Sequence, residues 1–143
     1  YILDSCKVSD INIKLEEIYE EIYLTLASQG IMPISQPFAK YLRFPHNPGD
    51  ENKIVLQAGV FMETEIETEG RLQIRFTTEG STLQASHFGV YETTGVTHDA
   101  MKKYCDDNGY TIIGSAYEMY ITDPSLEPNP ANWETKVIYE LAN

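Results

Sequence analysis

A single carboxylate placed among aromatic side chains is the feature of this sequence with the clearest chemistry. Glu118 stands two residues before Tyr120, in a chain with 10 tyrosines, 5 phenylalanines and 1 tryptophan. An aromatic ring face attracts a cation by about 0.5–2 kcal/mol, and Coulomb attraction to a carboxylate is less damped in a partly desolvated pocket. The pattern therefore predicts a pocket for flat or apolar organic cations. The competing interpretation is an ordinary salt bridge from Glu118 to an arginine: Arg43, Arg71 or Arg75.

The wall of such a pocket would have to come from aromatic residues scattered along the chain. Core packing is the commoner role of any single large ring, so position must select the candidates. Trp133 follows a loop with three prolines, residues 123–133, and could close over a ligand as a lid. The expected ligand-binding residues are Glu118, Tyr120, Tyr41, Phe61, Tyr91, Trp133 and Tyr139.

An internal repeat determines where these residues should lie. Positions that are 79 residues apart carry similar residues, as in the pairs Gly30/Gly109, Tyr41/Tyr120, Ile22/Met101, Phe38/Tyr117 and Pro45/Pro124. Self-similarity at a fixed spacing predicts a duplicated structural unit. One position breaks the symmetry, because the first copy has Ala39 where the second has Glu118. We expect a single domain over residues 1–143, with repeat one at about 1–62 and repeat two at about 82–143.

Hydrophobic periodicity and turn residues predict the elements of each copy. The first copy is expected to begin with a strand at 2–8 and a helix from Ser9-Asp10 to about residue 29. Three further strands are expected at 38–44, 53–61 and 72–76. A loop at 46–50 would separate the first two of these strands, and an exposed acidic arm at 63–69, closed by a turn at Glu69-Gly70, would precede the third. The second copy is expected to hold a strand at 82–88, a helix within 94–108, a strand at 112–121, a loop at 123–133 and a strand at 135–141.

These elements predict an α+β fold. Two strand–helix–strand–strand units would be related by a pseudo-twofold axis, with an antiparallel sheet, two helices on one side and a central ligand cleft on the other. Side-chain alternation divides each strand into two faces. Ala39, Tyr41, Glu118 and Tyr120 are expected to face the cleft. The alternate residues are expected to pack under the helices: Phe38, Leu42, Tyr117, Met119 and Ile121.

Composition narrows the function classes. The net charge is −12, which disfavours direct nucleic-acid binding by this segment. No apolar run is long enough for a membrane span and no secretion signal is present, so a cytoplasmic protein is expected. We also expect it to be a monomer or a weak homodimer. Cys6 and Cys105 are expected to be packed thiols. The three histidines show no metal-ligand spacing, so neither a metal nor another cofactor is expected, and His87 is interpreted as a hydrogen-bonded structural residue.

Several ordered motifs carry a resemblance to a known family. The segment His87-Phe-Gly-Val-Tyr91 resembles a His-x-Gly-Pro-Tyr pattern, with Val90 in place of the proline. Two later segments match further parts of the same family pattern. The first is Glu118-Met-Tyr120 followed by Thr122-Asp-Pro124, and the second is Trp133-Glu-Thr135 followed by Val137-Ile-Tyr139. In these motifs the chain resembles the GyrI-like small-molecule-binding family, the effector-binding domain of AraC- and MerR-type bacterial regulators. The resemblance is strong over 82–141 and weaker over 1–80.

The resemblance implies a duplicated fold whose Glu-x-Tyr glutamate, here Glu118, faces a central cleft. It implies binding of drug-like or toxin-like effectors, often in multidrug recognition or transcription regulation, and a DNA-binding domain ahead of Tyr1 would make the chain an effector domain. Two alternatives stay open. One is a hydrolase of cyclopropane-containing genotoxins using Glu118, Tyr120 and Trp133, as in some stand-alone relatives. The other is a gyrase-binding or other protein-interaction module, in which the acidic arm would mimic DNA charge.

Overall fold

The computed structural model describes residues 1–44, 53–77 and 79–142, and it divides into two units, 1–77 and 78–143. The loop predicted at 46–50 lies outside the described residues. That the two units form one domain stays a prediction. Within the described residues, no helix is both long and apolar enough to cross a bilayer.

The described residues of the first unit form one α-helix and three strands. They are β1 (Ile2–Lys7), α1 (Ile11–Ser28), β2 (Phe38–Arg43) and β3 (Lys53–Gly59), with a 3-10 turn at Val8–Asp10 before the helix. The strands are antiparallel in the order β1-β3-β2. Helix α1 buries an apolar stripe spaced at three to four residues, which is how a helix covers a sheet. The stripe consists of Leu15, Ile18, Ile22 and Leu26.

The second unit repeats this arrangement. It consists of β4 (Thr82–Phe88), α2 (Thr94–Asn108), β5 (Ile112–Tyr120) and β6 (Glu134–Leu141), with short 3-10 turns at Tyr91–Thr93 and Pro130–Asn132. Its strands are antiparallel in the order β4-β6-β5. In both units the first strand therefore pairs with the third, and the third with the second. The predicted α+β class and duplicated element order are confirmed.

The repeat extends to hydrogen bonds and strand register. Gly30 and Gly109 end their helices at φ 70° and 73°, a left-handed conformation that glycine adopts without a Cβ penalty. The next residue closes each helix in the same way, with Ile31 N–H donating to Leu26 O at 3.0 Å and Tyr110 N–H to Cys105 O at 2.9 Å. These partners are 79 positions apart. A tight local stop signal explains why both helix ends were predictable.

Strand register preserves the same spacing. Ala39 lies opposite Ala58 across β2 and β3, and Glu118 lies opposite Val137 across β5 and β6. Because 58 and 137 also differ by 79, Ala39 and Glu118 occupy equivalent places in the two units.

The strand predicted at 72–76 is wrong. The first unit has no strand there, although Tyr1 and Gln73 exchange two main-chain hydrogen bonds of 2.8 and 2.9 Å. Arg71, just before this segment, ion-pairs with Asp4 and Glu21. One bonded pair does not extend into a ladder, and alternation along a sequence cannot reveal whether a partner strand is present. The acidic arm is exposed at its glutamates as predicted, and Leu72 N–H donates to Glu69 O to close the predicted turn.

The assignment of strand faces was also wrong. Ala39 is fully buried opposite the fully buried Ala58, whereas Leu42 is 44% exposed. In the second unit, Met101 of α2 packs against Ala116, Val137 and Tyr139, the face of β5 and β6 that also carries Glu118. Glu118, which was predicted to face away from the helices, therefore lies beneath α2. Alternation correctly grouped residues by face, but both faces carry apolar residues, so the pattern did not show which face the helix covers.

Candidate functional site

Strand β5 presents Glu118 and Tyr120 on the same side of the sheet of the second unit. The strand pairs irregularly with β6 between Ile113 and Tyr117, around Gly114 at φ 67°. Such bulges re-aim the side chains that follow them. Beyond the irregularity, Glu118 lies opposite Val137 and Tyr120 opposite Thr135.

Glu118 is buried and is paired with a histidine from the helix above it. Its side chain is 9% exposed, and its Oε1 lies 2.7 Å from Nε2 of His98 in α2. The other ring nitrogen of His98, Nδ1, lies 2.8 Å from the Tyr139 hydroxyl. Three side chains from α2, β5 and β6 thus form a continuous hydrogen-bonded relay, Tyr139–His98–Glu118. The arginine alternative gives way here, since within the described residues Glu118 pairs with His98, and Arg71 pairs within the first unit.

The environment of Tyr139 keeps its hydroxyl protonated. Burial raises the pKa of Tyr139, and the negative charges of Glu118 and Asp99 raise it further. The ring packs edge-on against His98, with centroids 5.7 Å apart, and the residue is 4% exposed within the core beneath α2. A neutral hydroxyl keeps a proton that it can donate to the imidazole.

A second group of aromatic residues lies beside Tyr120. The Tyr91 ring meets the Tyr120 ring edge-on at 5.3 Å and stacks on Trp133 at 5.3 Å. The Trp133 indole N–H donates to Glu127 O at 2.8 Å, which fixes the ring against the proline-rich loop. The Tyr120 hydroxyl lies 3.4 Å from Oε2 of Glu118. We call Tyr91, Tyr120 and Trp133 the aromatic cluster; it connects the surface of this unit to the buried carboxylate.

The structure therefore brings together five of the seven predicted site residues. Glu118, Tyr120, Tyr91 and Trp133 are linked directly, and Tyr139 joins them through His98. Tyr41 and Phe61 belong to the first unit, where Tyr41 contacts the Phe44 ring and Phe61 stacks on Phe38 with centroids 4.9 Å apart. Their participation in ligand binding stays a prediction.

One buried hydroxyl near the site lacks a partner. Thr135 is fully buried opposite Tyr120, and among the described residues its Oγ1 has no hydrogen-bond partner. A buried, unsatisfied hydroxyl costs about 1–3 kcal/mol. The face of the sheet that carries Glu118 is thus polar at several positions where a core would ordinarily be apolar.

His98 is the residue that the sequence reasoning missed. A usable signal existed, because His98 corresponds to Tyr19 in the first copy, so the two copies differ at this position as well as at Ala39 and Glu118. Tyr19 instead donates its hydroxyl to Phe38 O at 2.9 Å.

The remaining ionisable candidates have structural roles. His87 contacts the hydroxyls of Thr97 and Thr93, each at 2.9 Å, as its structural interpretation requires. Cys6 and Cys105 are buried free thiols, as predicted. In the part of the chain that the structure describes, no three His, Cys, Asp or Glu side chains are grouped so as to hold a metal ion.

Comparisons with solved structures support the fold. The C-terminal domain of EcmrR aligns with a TM-score of 0.73 at 16% identity, covering 99% of this chain and 90% of that domain. EcmrR in its DNA complex aligns with a TM-score of 0.78 at 17% identity, covering 99% of this chain, which spans only 56% of the EcmrR chain. A hydrolase from Listeria innocua aligns with a TM-score of 0.62 at 14% identity, with 99% and 86% covered. At identities this low, the structural alignments establish a shared fold alone.

Sequence comparison establishes the family. No curated protein sequence matches the chain significantly. The family model described as the GyrI-like small molecule binding domain matches residues 5–141. The match covers nearly the whole chain, including both copies of the repeat and all seven predicted site residues. The chain therefore belongs to the GyrI-like small-molecule-binding family.

Proposed function

We propose that this domain binds small aromatic cations, with Glu118 as the charge partner and the aromatic cluster as the contact surface. The observation that carries the proposal is a buried carboxylate whose hydrogen-bonded partners are a histidine and a tyrosine. A neutral imidazole and a phenol stabilise a carboxylate without cancelling its charge. A cation entering beside Tyr120 would supply the missing positive charge.

The ring geometry favours cations that are flat and delocalised. Tyr91, Tyr120 and Trp133 offer ring faces and edges next to each other, and each face contributes about 0.5–2 kcal/mol toward a nearby cation. A delocalised organic cation also fits a site with few polar partners, since such sites select ligands by apolar contact and a few placed charges. Tyr41 is proposed as a further ligand contact because the repeat pairs it with Tyr120, and Phe61 is proposed as a further aromatic candidate.

In biological terms, we propose that the domain senses drug-like or toxin-like molecules as an effector-binding module. The support is its family and its fold likeness to the C-terminal domain of EcmrR, a protein also solved bound to DNA. With a net charge of −12, the chain is poorly suited to contact DNA itself. We therefore expect any transcriptional role to be transmitted through a separate DNA-binding segment.

Replacing Glu118 with glutamine tests the charge partner directly. We expect Glu118→Gln to weaken binding of N-methylphenanthridinium, a permanently charged flat cation, at least about tenfold, which corresponds to about 1.4 kcal/mol. Binding of the uncharged parent, phenanthridine, should change little because the aromatic cluster is intact. Isothermal titration calorimetry at pH 7.5 measures both affinities.

The matched control is Glu92→Gln, which removes an exposed carboxylate next to Tyr91 in sequence. It should leave both affinities within about twofold, since exposed charges interact weakly through water. Wild-type affinity for the cation in Glu118→Gln, or an equal loss for both probes, would refute a cation site at Glu118.

Hydrolysis of a strained electrophile is the second candidate. It is supported by the fold likeness to the Listeria innocua hydrolase and by the 3.4 Å approach of Tyr120 to Glu118. In this reaction Glu118 would take a proton from water while the water oxygen bonds to a cyclopropane carbon. The ring carbon–carbon bond would break, and the released electron pair would be protonated on the conjugated part of the substrate.

Turnover separates this candidate from binding alone. The protein is incubated with about a hundredfold molar excess of an activated cyclopropane. The ring-opened product is then quantified by mass spectrometry. A hydrolase gives many products per protein molecule, and Glu118→Gln should lower the rate about 100-fold or more, the usual contribution of a general base. Product at or below one equivalent would leave binding as the function.

A further inference from the structure

We propose that His98 and Tyr139 are positioning residues that hold Glu118 as a carboxylate with one oxygen directed toward the ligand. The proposal rests on the function proposed above and explains how the site would discriminate a cation from a neutral aromatic molecule of the same shape. Neither residue needs to touch the ligand.

The direction of the hydrogen bonds in the relay follows from counting protons. Tyr139 is 4% exposed, and its one hydroxyl proton must be donated somewhere. The acceptor within reach is Nδ1 of His98 at 2.8 Å, so Nδ1 carries no proton. A neutral imidazole then carries its proton on Nε2 and donates it to Oε1 of Glu118 at 2.7 Å. Oε1 therefore carries no proton, and within the described residues a proton on Oε2 would have only the weak 3.4 Å contact with the Tyr120 hydroxyl as its acceptor.

The reverse arrangement leaves a buried group unsatisfied. If Glu118 were protonated and donated to Nε2, Nδ1 would carry a proton pointing at Tyr139, and the tyrosine hydroxyl proton would lose its acceptor. A doubly protonated imidazole causes the same conflict at Tyr139. Buried polar groups are nearly always hydrogen-bonded, so the relay favours neutral His98 next to ionised Glu118.

The relay also determines which carboxylate oxygen is left for a ligand. Oε1 is held by His98, and Oε2 lies 3.4 Å from the Tyr120 hydroxyl, a weak contact. Tyr120 contacts Tyr91 at 5.3 Å, and Tyr91 stacks on Trp133. Oε2 is therefore the oxygen on the side of the aromatic cluster, where a ring-bound cation would lie.

Comparison of the two copies supports a role specific to the carboxylate. The first copy has neither member of the pair, with Tyr19 and Ala39 at the equivalent positions. Its sheet and helix form without them, so the scaffold itself does not require a histidine on this turn of the helix. The other ionisable groups near Tyr139 are Asp99, which is exposed, and the buried thiol of Cys105, both on α2.

Three variants test the proposal by calorimetry, with N-methylphenanthridinium titrated from pH 5 to 8 and phenanthridine titrated at pH 7.5, where it is uncharged. Tyr139→Phe removes only the hydroxyl, and His98→Phe removes the N–H donor while keeping a ring. Both should lower cation affinity at pH 7.5 about three- to tenfold and leave phenanthridine affinity unchanged. Both should also change the pH profile of cation affinity, because each variant breaks the hydrogen-bonded relay that fixes where its protons lie. His98→Gln, whose amide can donate to Glu118, should recover part of the affinity.

The outcomes separate this proposal from the one it rests on. If Tyr139→Phe and His98→Phe are folded, bind the cation as the wild type does and keep its pH profile, while Glu118→Gln loses affinity, the relay is structural and the cation site stands. If Glu118→Gln also binds normally, both proposals fail. Equal loss of both probes with an unchanged pH profile would likewise show that the substitutions only disturb packing. Thermal melts identify any variant that is not folded, and Tyr139→Phe, the smallest change, then decides.

Discussion

Ala39→Glu is expected to destabilise the first unit by about 4 kcal/mol, a large share of the stability of a small domain. The substitution places in the first copy the carboxylate that the second copy carries at position 118. Ala39 is fully buried opposite Ala58, and the equivalent of His98 is Tyr19, whose hydroxyl is already bonded to Phe38 O. The new charge would be buried without a donor. Urea unfolding at pH 7.5, followed by far-ultraviolet circular dichroism, measures the loss.

The same strand provides a control and a rescue. Leu42→Glu introduces the same charge at a side chain that is 44% exposed, and its cost should stay below about 1 kcal/mol. Adding Tyr19→His to Ala39→Glu supplies an imidazole at the position of His98 and should recover about 1–2 kcal/mol. An Ala39→Glu protein as stable as the wild type would contradict the equivalence of the two positions.

His98→Leu is expected to lower the free energy of unfolding by about 2–4 kcal/mol, because it leaves Glu118 buried without its principal donor. Tyr139 loses its acceptor in the same variant. Adding Glu118→Leu should recover most of the loss, since two buried polar partners can often be replaced together by apolar residues at little cost. Urea denaturation of the two single variants and the double variant gives the coupling free energy of the pair.

The control for this cycle is Asp99→Leu, which changes an exposed carboxylate on the same helix and should shift stability by only about 0.5 kcal/mol. A double variant that is as unstable as the sum of its single variants would mean that His98 and Glu118 do not stabilise each other. The expected recovery would mean that an apolar pair supports the fold nearly as well as the polar pair does, so that stability alone does not require the relay.

Local elements were predictable where the signals that form them are local. Helix α2 and strand β4 were predicted at residues 94–108 and 82–88, the bounds that the structure has. Gly109 ends α2 because a left-handed residue suits glycine, and that preference is visible in sequence. Residues 72–76 have an equally suitable alternating pattern but form no strand, because a strand also requires a partner with open hydrogen-bonding groups along its length.

The site was predictable in its centre and not in its surroundings. Glu118 was identified because a duplicated sequence marks the position at which its copies differ. The aromatic residues beside it lie in the family motifs at residues 87–91, 118–124 and 133–139. His98 was missed because it reaches Glu118 across 20 positions of sequence, from a helix to a strand. No spacing rule connects a helix residue with a strand residue beneath it, since their contact depends on how the helix is rotated on the sheet.

By itself, the sequence determined the repeat, the strand–helix–strand–strand order that both copies share, and the equivalence of Ala39 with Glu118, all of which depend on periodicities and glycine positions along the chain. The tertiary structure alone decided which face of each sheet the helix covers. Strand alternation is symmetric between two faces, and only packing selects one of them for burial. That selection puts Glu118 beneath α2, in hydrogen-bond contact with His98.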